Sequence, residues 1–389
     1  MLPVPYWRLS GYYFFYFAFV GVFSPYFGLY LQSLTFSAWE ISILMTQMQM
    51  MRLVGPYFWS ALVDRFDLRM AVIRVSGVAT LLLFCTLFFV RSFEALLLCI
   101  GLFSFFWVAA LPLVETATFD HLRNDPGRYS RIRLWGSVGF IVTVLGAGAL
   151  LDRSSSGSQL WLCAACLAGL MGCGLSLPDS PQSHPHESHP SIGSIVRQPQ
   201  VVALLAACVF MSAAHGALYV FYAIFLSEHG YSKSMVGALW TLGVLVEIGL
   251  FFYMGQIMRR FALRAILLAS LGAAAIRFVM IGLAVDSVTL LALAQLLHGL
   301  TFAAFHSAAI ASISRWFPGN TRARGQALYS SLSFGAGGAV GGLVSGWAWE
   351  IFGGKVAFAS GSLFAVFGLL TLYRWGFDPP AQRSDVTVS

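Results

Sequence analysis

Seven ionisable side chains lie within stretches that are otherwise apolar. They are Arg52, Glu115, Arg133, Glu247, Arg277, His298 and His306. Charged groups are costly in hydrocarbon, and those that a membrane protein retains usually mark the path of a substrate or an ion. Ion pairs that only hold helices together are the alternative, although apolar replacements often stabilise a protein as well or better.

The charge balance of this set favours an anionic ligand. Two glutamates face three arginines, Arg52, Arg133 and Arg277, so one positive charge is in excess. A bound carboxylate would neutralise it, and a guanidinium group can bind a carboxylate through two parallel hydrogen bonds. We therefore expect a small organic anion, with Arg277 or Arg52 holding its carboxylate. Arg133 could also extend to a membrane surface.

Two of the groups are candidates for carrying a proton. Glu247 is the expected proton-binding carboxylate, and His298 has a side chain that titrates near neutral pH. His298 shares a helix face with Gln295 and Thr301, at spacings of three residues. A histidine in such a position could instead bridge neighbouring helices through hydrogen bonds.

An aromatic stripe supplies a second kind of candidate site. His215, Tyr219 and Tyr222 recur at helical spacing in one apolar stretch. Such a stripe is commonly packing or an interfacial belt. Beside a central cavity it would also suit a flat apolar ligand that stacks on the rings.

The composition determines which elements must position these side chains. The chain has 389 residues, of which 58% are hydrophobic and only 10% charged, with a mean hydropathy of +0.77. A soluble protein carries about a quarter charged residues, so a soluble enzyme is excluded. Twelve stretches are long enough to cross a bilayer as helices. They lie near 9–31, 40–62, 70–90, 94–118, 133–151, 158–177, 203–226, 235–257, 265–285, 288–312, 325–350 and 356–375.

The basic residues predict the orientation of these helices. Most arginines lie in the gaps that follow even-numbered segments, whereas the opposite gaps hold only Arg91, Arg153, Lys233 and Lys355. The positive-inside rule therefore places both termini in the cytoplasm. The net charge of +7 belongs to this membrane-flanking pattern, so no nucleic-acid partner is expected.

The two halves of the chain repeat each other. A shift of 195 residues aligns the segment 64–69 with 259–264, four identities in six, and places Arg52 on Glu247. We therefore predict an all-α integral membrane protein with twelve transmembrane helices in two pseudo-symmetric six-helix bundles. The expected bundles are 1–177 and 201–375, joined by a Pro-, Ser- and His-rich cytoplasmic linker at 178–200 and followed by a cytoplasmic tail at 376–389.

Several motifs together resemble a known family. Ser60-x-x-x-Asp64-Arg65-x-x-x-Arg69 is similar to the loop 2–3 signature of the major facilitator superfamily, with Ser60 where glycine is usual. The segment 131–140, Arg-Ile-Arg-Leu-Trp-Gly-Ser-Val-Gly-Phe, resembles the start of helix 5 in the lactose-permease-like branch, and Glu115 fits the helix 4 acid of that branch. The nearest resemblance is to phenylpropionate permeases and covers nearly the whole chain.

This resemblance implies a proton-driven symporter of the inner membrane. It implies that Glu115 and Arg133 grip the substrate, and that Glu247, Arg277 and His298 serve binding and coupling. Phe140 corresponds to the stacking tryptophan of the sugar porter. The segment 64–69, with Asp64, Arg65 and Arg69, would latch the cytoplasmic side.

The sequence also departs from the sugar porter. Thr301 stands where that porter has its proton-carrying acid, and the helix 7 acid and helix 10 lysine are missing. The proton then belongs to Glu247 or His298, and an aromatic acid becomes a better substrate than a sugar.

The resulting hypothesis is a monomeric secondary transporter with a small-molecule substrate, a proton and the lipid bilayer as its partners. Arg52, Glu115, Arg133, Phe140, His215, Tyr219 and Arg277 are the expected substrate-binding residues. A sugar or nucleoside symporter and a drug or metabolite exporter remain open, as does a non-transporting receptor on the same scaffold. No enzymatic activity, cofactor or metal site is expected, because no nucleophile–base pair or metal-ligand set is visible.

Overall fold

The computed structural model describes residues 5–66, 68–122, 126–179 and 191–375, without the side chains of Asp64, Pro126 and Asn320. The first half contains six long helices. They are α1 (Tyr6–Ser33), α2 (Ala38–Phe66), α3 (Arg69–Cys85, continued by a 3-10 turn at Thr86–Phe88), α4 (Phe93–Leu122), α5 (Pro126–Leu151) and α6 (Ser158–Ser176).

A short helical turn, Gly193–Val196, precedes the second half. The second half again contains six long helices. They are α7 (Pro199–Glu228), α8 (Lys233–Arg260), α9 (Leu263–Leu283), α10 (Val288–Trp316), α11 (Arg322–Phe352) and α12 (Gly354–Arg374).

The twelve predicted helices are confirmed, with one substantial difference in extent. Helix α5 begins at Pro126, two turns before the predicted start at 133. The segment 126–132 includes Arg128, Ser130 and Arg131, and polarity alone made it resemble a loop. Apolar runs report the part of a helix that lies in lipid, whereas the helix itself continues beyond that part. Arg133 is consequently an interior residue of α5.

Within the described residues, eleven helical segments are long and apolar enough to cross a membrane. The remaining long helix is α2, which carries Glu40, Gln47, Gln49 and Arg52 along its length. Polar residues on a membrane helix are tolerated where they face the bundle interior or an aqueous cavity. The lower hydropathy of α2 therefore indicates a helix that lines a cavity.

The two halves pack in the same way. In the first half, α1 contacts α5 and α6, α2 contacts α4, and α3 contacts α4 and α6. In the second half, α7 contacts α11 and α12, α8 contacts α10, and α9 contacts α10 and α12. Each contact has its counterpart under the 195-residue shift. Helices α1 and α7 are the most buried of the spanning segments, so they form the centre of the molecule.

The halves meet mainly along three helix pairs, α1 with α7, α2 with α11 and α5 with α8, and α2 also contacts α7. We call the end of the molecule with the α1–α2, α5–α6 and α7–α8 connections the distal face, and the opposite end the linker face. Several hydrogen bonds between the halves lie at the distal face, where Gln32 Nε2 donates to Glu228 Oε1 over 3.1 Å and the Trp39 N–H donates to Glu350 Oε2 over 3.2 Å.

A single carboxylate makes the densest of these distal connections. Asp152, which follows α5, accepts the backbone N–H groups of Lys233 and Ser234 over 2.7 and 3.0 Å, and it also accepts the Ser234 hydroxyl. These are the first N–H groups of α8, which a helix cannot satisfy internally. Asp152 thus caps a helix of the opposite half.

Glycines make the close approach of α11 possible. A Cβ atom on Gly341 would overlap the backbone of Ala213 in α7, and one on Gly346 would overlap the Ser42 side chain in α2. The small-residue spacing in 335–346 predicts close helix packing, and this packing is confirmed.

Three helices of the second half are interrupted near the centre. Helix α7 breaks at His215, α10 contains a π-helical segment at Leu300–Ala304, and α11 contains another at Ser331–Gly337. Such segments are rare and occur frequently at functional sites.

The predicted linker at 178–200 and tail at 376–389 stay predictions, since residues 180–190 and 376–389 lie outside the described ranges.

Candidate functional site

A central cavity of about 630 Å³, partly open to solvent, lies between the two halves. Helices α1 and α2 of the first half line it, together with α7 and α11 of the second. Its wall includes Phe19 and Phe23 from α1, Gln49 and Arg52 from α2, and Tyr219 from α7. Aromatic faces and a few polar groups are the usual lining of a small-molecule site.

Arg52 is the cation of this cavity. Among the described residues, its guanidinium group has no hydrogen-bond or ion-pair partner, and the side chain is half-buried. The hydroxyl groups of Tyr16 and Tyr219, from opposite halves, both lie within electrostatic range of it. A partly desolvated guanidinium without a carboxylate partner is suited to binding an anion.

Arg277 is arranged differently, because its hydrogen bonds are used within the protein. The side chain is fully buried. Its Nε donates to the Ala294 carbonyl over 3.0 Å, its Nη2 to Gln295 Oε1 over 3.1 Å, and its Nη1 to Thr301 Oγ1 and His215 Nε2 over 3.1 and 3.2 Å. A guanidinium has five N–H donors, so four are occupied. Of the two arginines proposed to hold a carboxylate, Arg52 has the geometry for it.

His215 connects this arginine to the interruption in α7. Its Nδ1 lies 2.8 Å from the Met211 carbonyl, the acceptor that its own N–H would use in a regular helix, while that N–H donates to Ser212 over 3.1 Å. The ring must donate from Nδ1 and accept from Arg277 at Nε2. His215 is therefore neutral in this conformation, and the same hydrogen bond explains the local break.

Glu247 and His298 form the second charged element of the site. His298 Nε2 lies 3.5 Å from Glu247 Oε2, and His298 is 4% exposed. Its Nδ1 is buried and has no hydrogen-bond partner among the described residues. Gly243 permits this approach, because a Cβ there would lie 3.2 Å from His298 Cδ2. One proton can be shared between these two atoms, which is the arrangement expected of a proton carrier.

Tyr219 brings the separate groups together. Its hydroxyl lies within electrostatic range of Glu247, Arg277 and Arg52. Its ring stacks on Trp240, with centroids 6.0 Å apart and planes at 24°, and on His215, with centroids 5.9 Å apart and planes at 25°. The two members of the 195-residue pair, Arg52 and Glu247, are therefore both close to the same side chain.

Phe140 joins this aromatic group across the interface between the halves. Its ring lies 6.2 Å from that of Trp240, in an edge-to-face arrangement. Trp240 was not among the expected site residues. Its buried indole Nε1 has no hydrogen-bond partner within the described residues. The signal available in the sequence was a tryptophan, a side chain with a polar N–H, inside an apolar stretch of α8.

Glu115 and Arg133 form a looser pair in the first half. Arg133 Nε lies 3.9 Å from Glu115 Oε1, and their side chains are 34% and 35% exposed. The Arg133 guanidinium also lies 4.1 Å from the ring centroid of Phe17, and the Tyr129 hydroxyl donates to Glu115 over 3.5 Å. Both ends of the pair keep hydrogen-bonding capacity for a polar ligand.

The predicted latch segment is described only in part. The side chain of Asp64 lies outside the described residues, and Arg65 is exposed at the end of α2. Arg69 forms an ion pair with Asp120 of α4. This contact connects helices within the first half, on the linker face.

His306, the last of the seven ionisable side chains singled out in the sequence, forms a hydrogen bond between its Nδ1 and the Tyr329 hydroxyl over 2.8 Å.

Gln295 was placed on the His298 face by its spacing but not among the site residues. Its Oε1 accepts from Arg277 and its Nε2 donates to the Tyr222 hydroxyl over 2.8 Å. An amide in an otherwise apolar helix was the available signal. In the described parts of the chain, no group of three or more His, Cys, Asp or Glu side chains is arranged to hold a metal ion.

Comparison with known proteins agrees with this architecture. The model of the MFS_1 like family matches residues 6–360. A probable 3-phenylpropionic acid transporter of Escherichia coli (strain K12) is 28% identical over 353 residues, which cover 89% of this chain and 92% of that protein. A putative nucleoside transporter, YegT, of the same organism is 26% identical over 329 residues, covering 80% of this chain and 77% of that protein.

A solved structure has the same fold. A mutant of the nucleoside transporter NupG superposes with a TM-score of 0.84 at 18% identity, over 95% of this chain and 98% of that one. At this identity, the likeness concerns the fold alone.

Proposed function

The chain belongs to the MFS_1 like family of major facilitator superfamily transporters, and from that premise we propose that it imports a small organic anion, such as an aromatic carboxylate, together with a proton. The observation that carries the proposal is Arg52, a cation in the wall of the central cavity that has no partner among the described residues. Binding an anion there would satisfy its hydrogen bonds, which would otherwise remain incompletely paired in a partly dry site.

The Glu247–His298 pair supports the coupling to a proton. Protonation of Glu247 would remove a negative charge from the surroundings of Tyr219, where Arg52 also acts. A substrate carboxylate would restore that negative charge when it binds Arg52. Proton and anion would therefore favour each other's binding, because two linked ligands must couple reciprocally. His298 Nε2 holds the Glu247 side chain in place for this exchange.

Relatives support the substrate class. The protein of Escherichia coli that is 28% identical is named a probable 3-phenylpropionic acid transporter. We further propose that the linker face is cytoplasmic, in accordance with the arginine distribution, and that the protein works as a monomer in the inner membrane. Access to the central site would alternate between the two sides as the six-helix halves move against each other.

The test is uptake of radiolabelled 3-phenylpropionate into proteoliposomes under an imposed inward proton gradient. Wild-type protein should accumulate it, and Glu247→Gln should abolish accumulation while exchange of internal for external substrate continues, because exchange needs no net proton movement. Glu94→Gln, at an exposed glutamate of α4, is the matched control. Accumulation by Glu247→Gln at the wild-type level would overturn the assignment of the proton carrier.

Arg52→Gln tests the anion site separately. We expect it to weaken binding of every carboxylate tested at least tenfold, since one charge-assisted hydrogen bond to an anion contributes about 1.5–3 kcal/mol. Arg259→Gln, an exposed arginine at the end of α8, serves as its control. Unchanged carboxylate binding in Arg52→Gln would place the anion elsewhere.

A sugar or nucleoside symporter is the second candidate, favoured by the half-exposed Glu115–Arg133 pair. Such a pair could clamp hydroxyl groups, and the relative YegT is named a putative nucleoside transporter. In a thermal-shift series with uridine, a disaccharide and 3-phenylpropionate, stabilisation by the neutral ligands alone would favour this second function. Resistance on expression, with proton-driven uptake into vesicles in the opposite sense, would identify a drug or metabolite exporter.

A further inference from the structure

A second cavity lies entirely within the second half of the chain. It has a volume of about 340 Å³ and is bounded by α7, α10 and α11, on the linker-face side of Tyr219. Tyr219 belongs to the walls of both cavities, so this space adjoins the cavity that contains Arg52 at that residue.

Rings dominate the wall of the second cavity. Seven of its eleven lining side chains are aromatic or imidazole rings. Along α10, Phe302 stacks on His306 with centroids 6.1 Å apart and planes at 11°, and on His298 with centroids 5.6 Å apart and planes at 21°. Phe334 of α11 lies 6.1 Å from His306. Of these rings, Phe302, His306 and Phe334 line the cavity, and the nearly parallel Phe302 and His306 suit a flat ring, since offset-stacked and edge-to-face ring contacts are both favourable.

Most hydroxyl groups of this wall are already hydrogen-bonded within the protein. Ser333 donates to the Cys208 carbonyl over 3.1 Å and lies 3.3 Å from the Ser212 hydroxyl. Thr301 accepts from Arg277, and the Tyr329 hydroxyl is paired with His306 over 2.8 Å. A polar ligand would lose hydrogen bonds to water here and gain few in return. The wall therefore favours an unsubstituted ring over a sugar.

Both π-helical segments of the second half contribute to this cavity, α10 through Thr301 and Phe302 and α11 through Ser333 and Phe334. A π-helical turn holds one more residue than an α-helical turn, so it moves the following side chains around the helix axis. Two such turns facing one space create the ring-lined wall.

We propose that this cavity binds the aromatic ring of the transported acid, while its carboxylate extends past Tyr219 to Arg52. The inference rests on the proposed function and adds to it the position and chemical nature of the ring site. It assigns specificity to Phe302 and its stacked neighbours. Ring and carboxylate occupy two compartments, so the ligand needs a spacer between them.

Binding to purified protein by calorimetry tests the proposal with phenyl acids of increasing chain length. Affinity should pass through a maximum between benzoate and 4-phenylbutyrate, and hydroxyl groups on the ring should weaken binding. Phe302→Ala should weaken binding of the best phenyl acid about tenfold, which corresponds to about 1.4 kcal/mol, and should leave binding of butyrate, which has no ring, within twofold. Phe252→Ala, at a residue of α8 that is 81% exposed, is the matched control.

The possible results separate this inference from the proposed function. If wild-type protein binds no phenyl acid, the proposed function itself is wrong. If it binds phenyl acids but Phe302→Ala equals Phe252→Ala, or if benzoate binds as well as its longer homologues, the ring site is wrong and the proposed function stands. Phe302→Leu, which keeps the volume but removes the ring, replaces Phe302→Ala if that variant does not fold. It should weaken phenyl acids selectively in the same way.

Discussion

Removal of the Asp152 carboxylate should open the distal face. Asp152 is an exposed residue of the first half whose carboxylate accepts hydrogen bonds from Lys233 and Ser234 of α8, in the second half. Any movement that separates α5 from α8 at this face must break them. Asp152→Ala should therefore shift the conformational equilibrium towards a state in which the distal face is open.

The expected size follows from the number and environment of these bonds. A hydrogen bond to an ionised group contributes about 1.5–3 kcal/mol when it is shielded. Asp152 is exposed, so water replaces the lost partners in the open state, and we expect about 1–2 kcal/mol for the three bonds together. This changes the ratio of closed to open molecules about 5–30-fold.

The pKa of Asp152 predicts the pH range of the effect. Burial acts to raise this pKa, but the hydrogen bonds from Ser234 and Lys233 and the Lys233 charge outweigh it, so the pKa lies below its ordinary value. A lowered carboxyl pKa stabilises the closed form above the ordinary pKa of about 3.9, and that stabilisation is lost as the pH falls through the lowered value. Between about pH 5 and 8 the Asp152 contact between the halves should not respond to pH.

Double electron–electron resonance can measure the opening. Spin labels at Ser155 and Lys355, exposed positions on the distal ends of the two halves, should show a larger long-distance population in Asp152→Ala, in a background without the six native cysteines. Asp179→Asn is the control, because Asp179, which follows α6, pairs with Arg74 of α3 over 3.0 Å and this contact does not join the two halves. Equal distance distributions in the two variants would refute the proposal that the Asp152 hydrogen bonds hold the distal face closed.

Two further variants test how the interior is held together. Arg277→Gln should lower the free energy of unfolding by about 3–5 kcal/mol, because it removes a buried hydrogen-bonding centre and leaves its partners unpaired. If this variant instead keeps normal thermal stability and loses substrate binding, Arg277 is a ligand-binding residue. Gly341→Ala should cost about 1–3 kcal/mol by overlap with Ala213. Gly146→Ala is the control: a Cβ there meets no atom within 4 Å, so this variant should be neutral or slightly stabilising. Equal melting temperatures for the two glycine variants would contradict the close packing of α11 on α7.

Hydropathy and repetition were sufficient to predict the fold. Continuous apolar stretches located twelve helices, and the 195-residue shift predicted two halves whose internal contacts indeed correspond. The start of α5 was placed at 133 instead of 126, because Arg128 and Arg131 belong to a helical turn with polar surroundings. Hydropathy describes the solvent around a helix, and backbone hydrogen bonding continues where that solvent changes.

The candidate site was predictable as a set of charges but not as a set of partners. Sequence placed Arg52 and Arg277 in equivalent roles. The structure separates them, since Arg277 is paired with Ala294, Gln295 and Thr301 of α10 and with His215 of α7. Which buried donor finds an acceptor depends on contacts between helices that spacing along one helix does not reveal.

The interruptions of regular helix were likewise outside the reach of sequence patterns. The break in α7 arises where the His215 ring takes the Met211 carbonyl, and no proline marks it. The two π-helical segments also lack a proline. Their geometry depends on packing across α7, α10 and α11, so the second cavity could not be predicted.

The polarity of α2 affects the order in which the chain can mature during synthesis. An arginine at the centre of a helix disfavours insertion by about 2.5–3.5 kcal/mol, and α2 adds Gln47 and Gln49 to Arg52. Its partner α11, Arg322–Phe352, is translated more than 250 residues later. Until then α1, α3, α4, α7 or the insertion machinery must shield the polar face of α2. A nascent chain that stops short of α11 should therefore expose this face and be a target for membrane quality control.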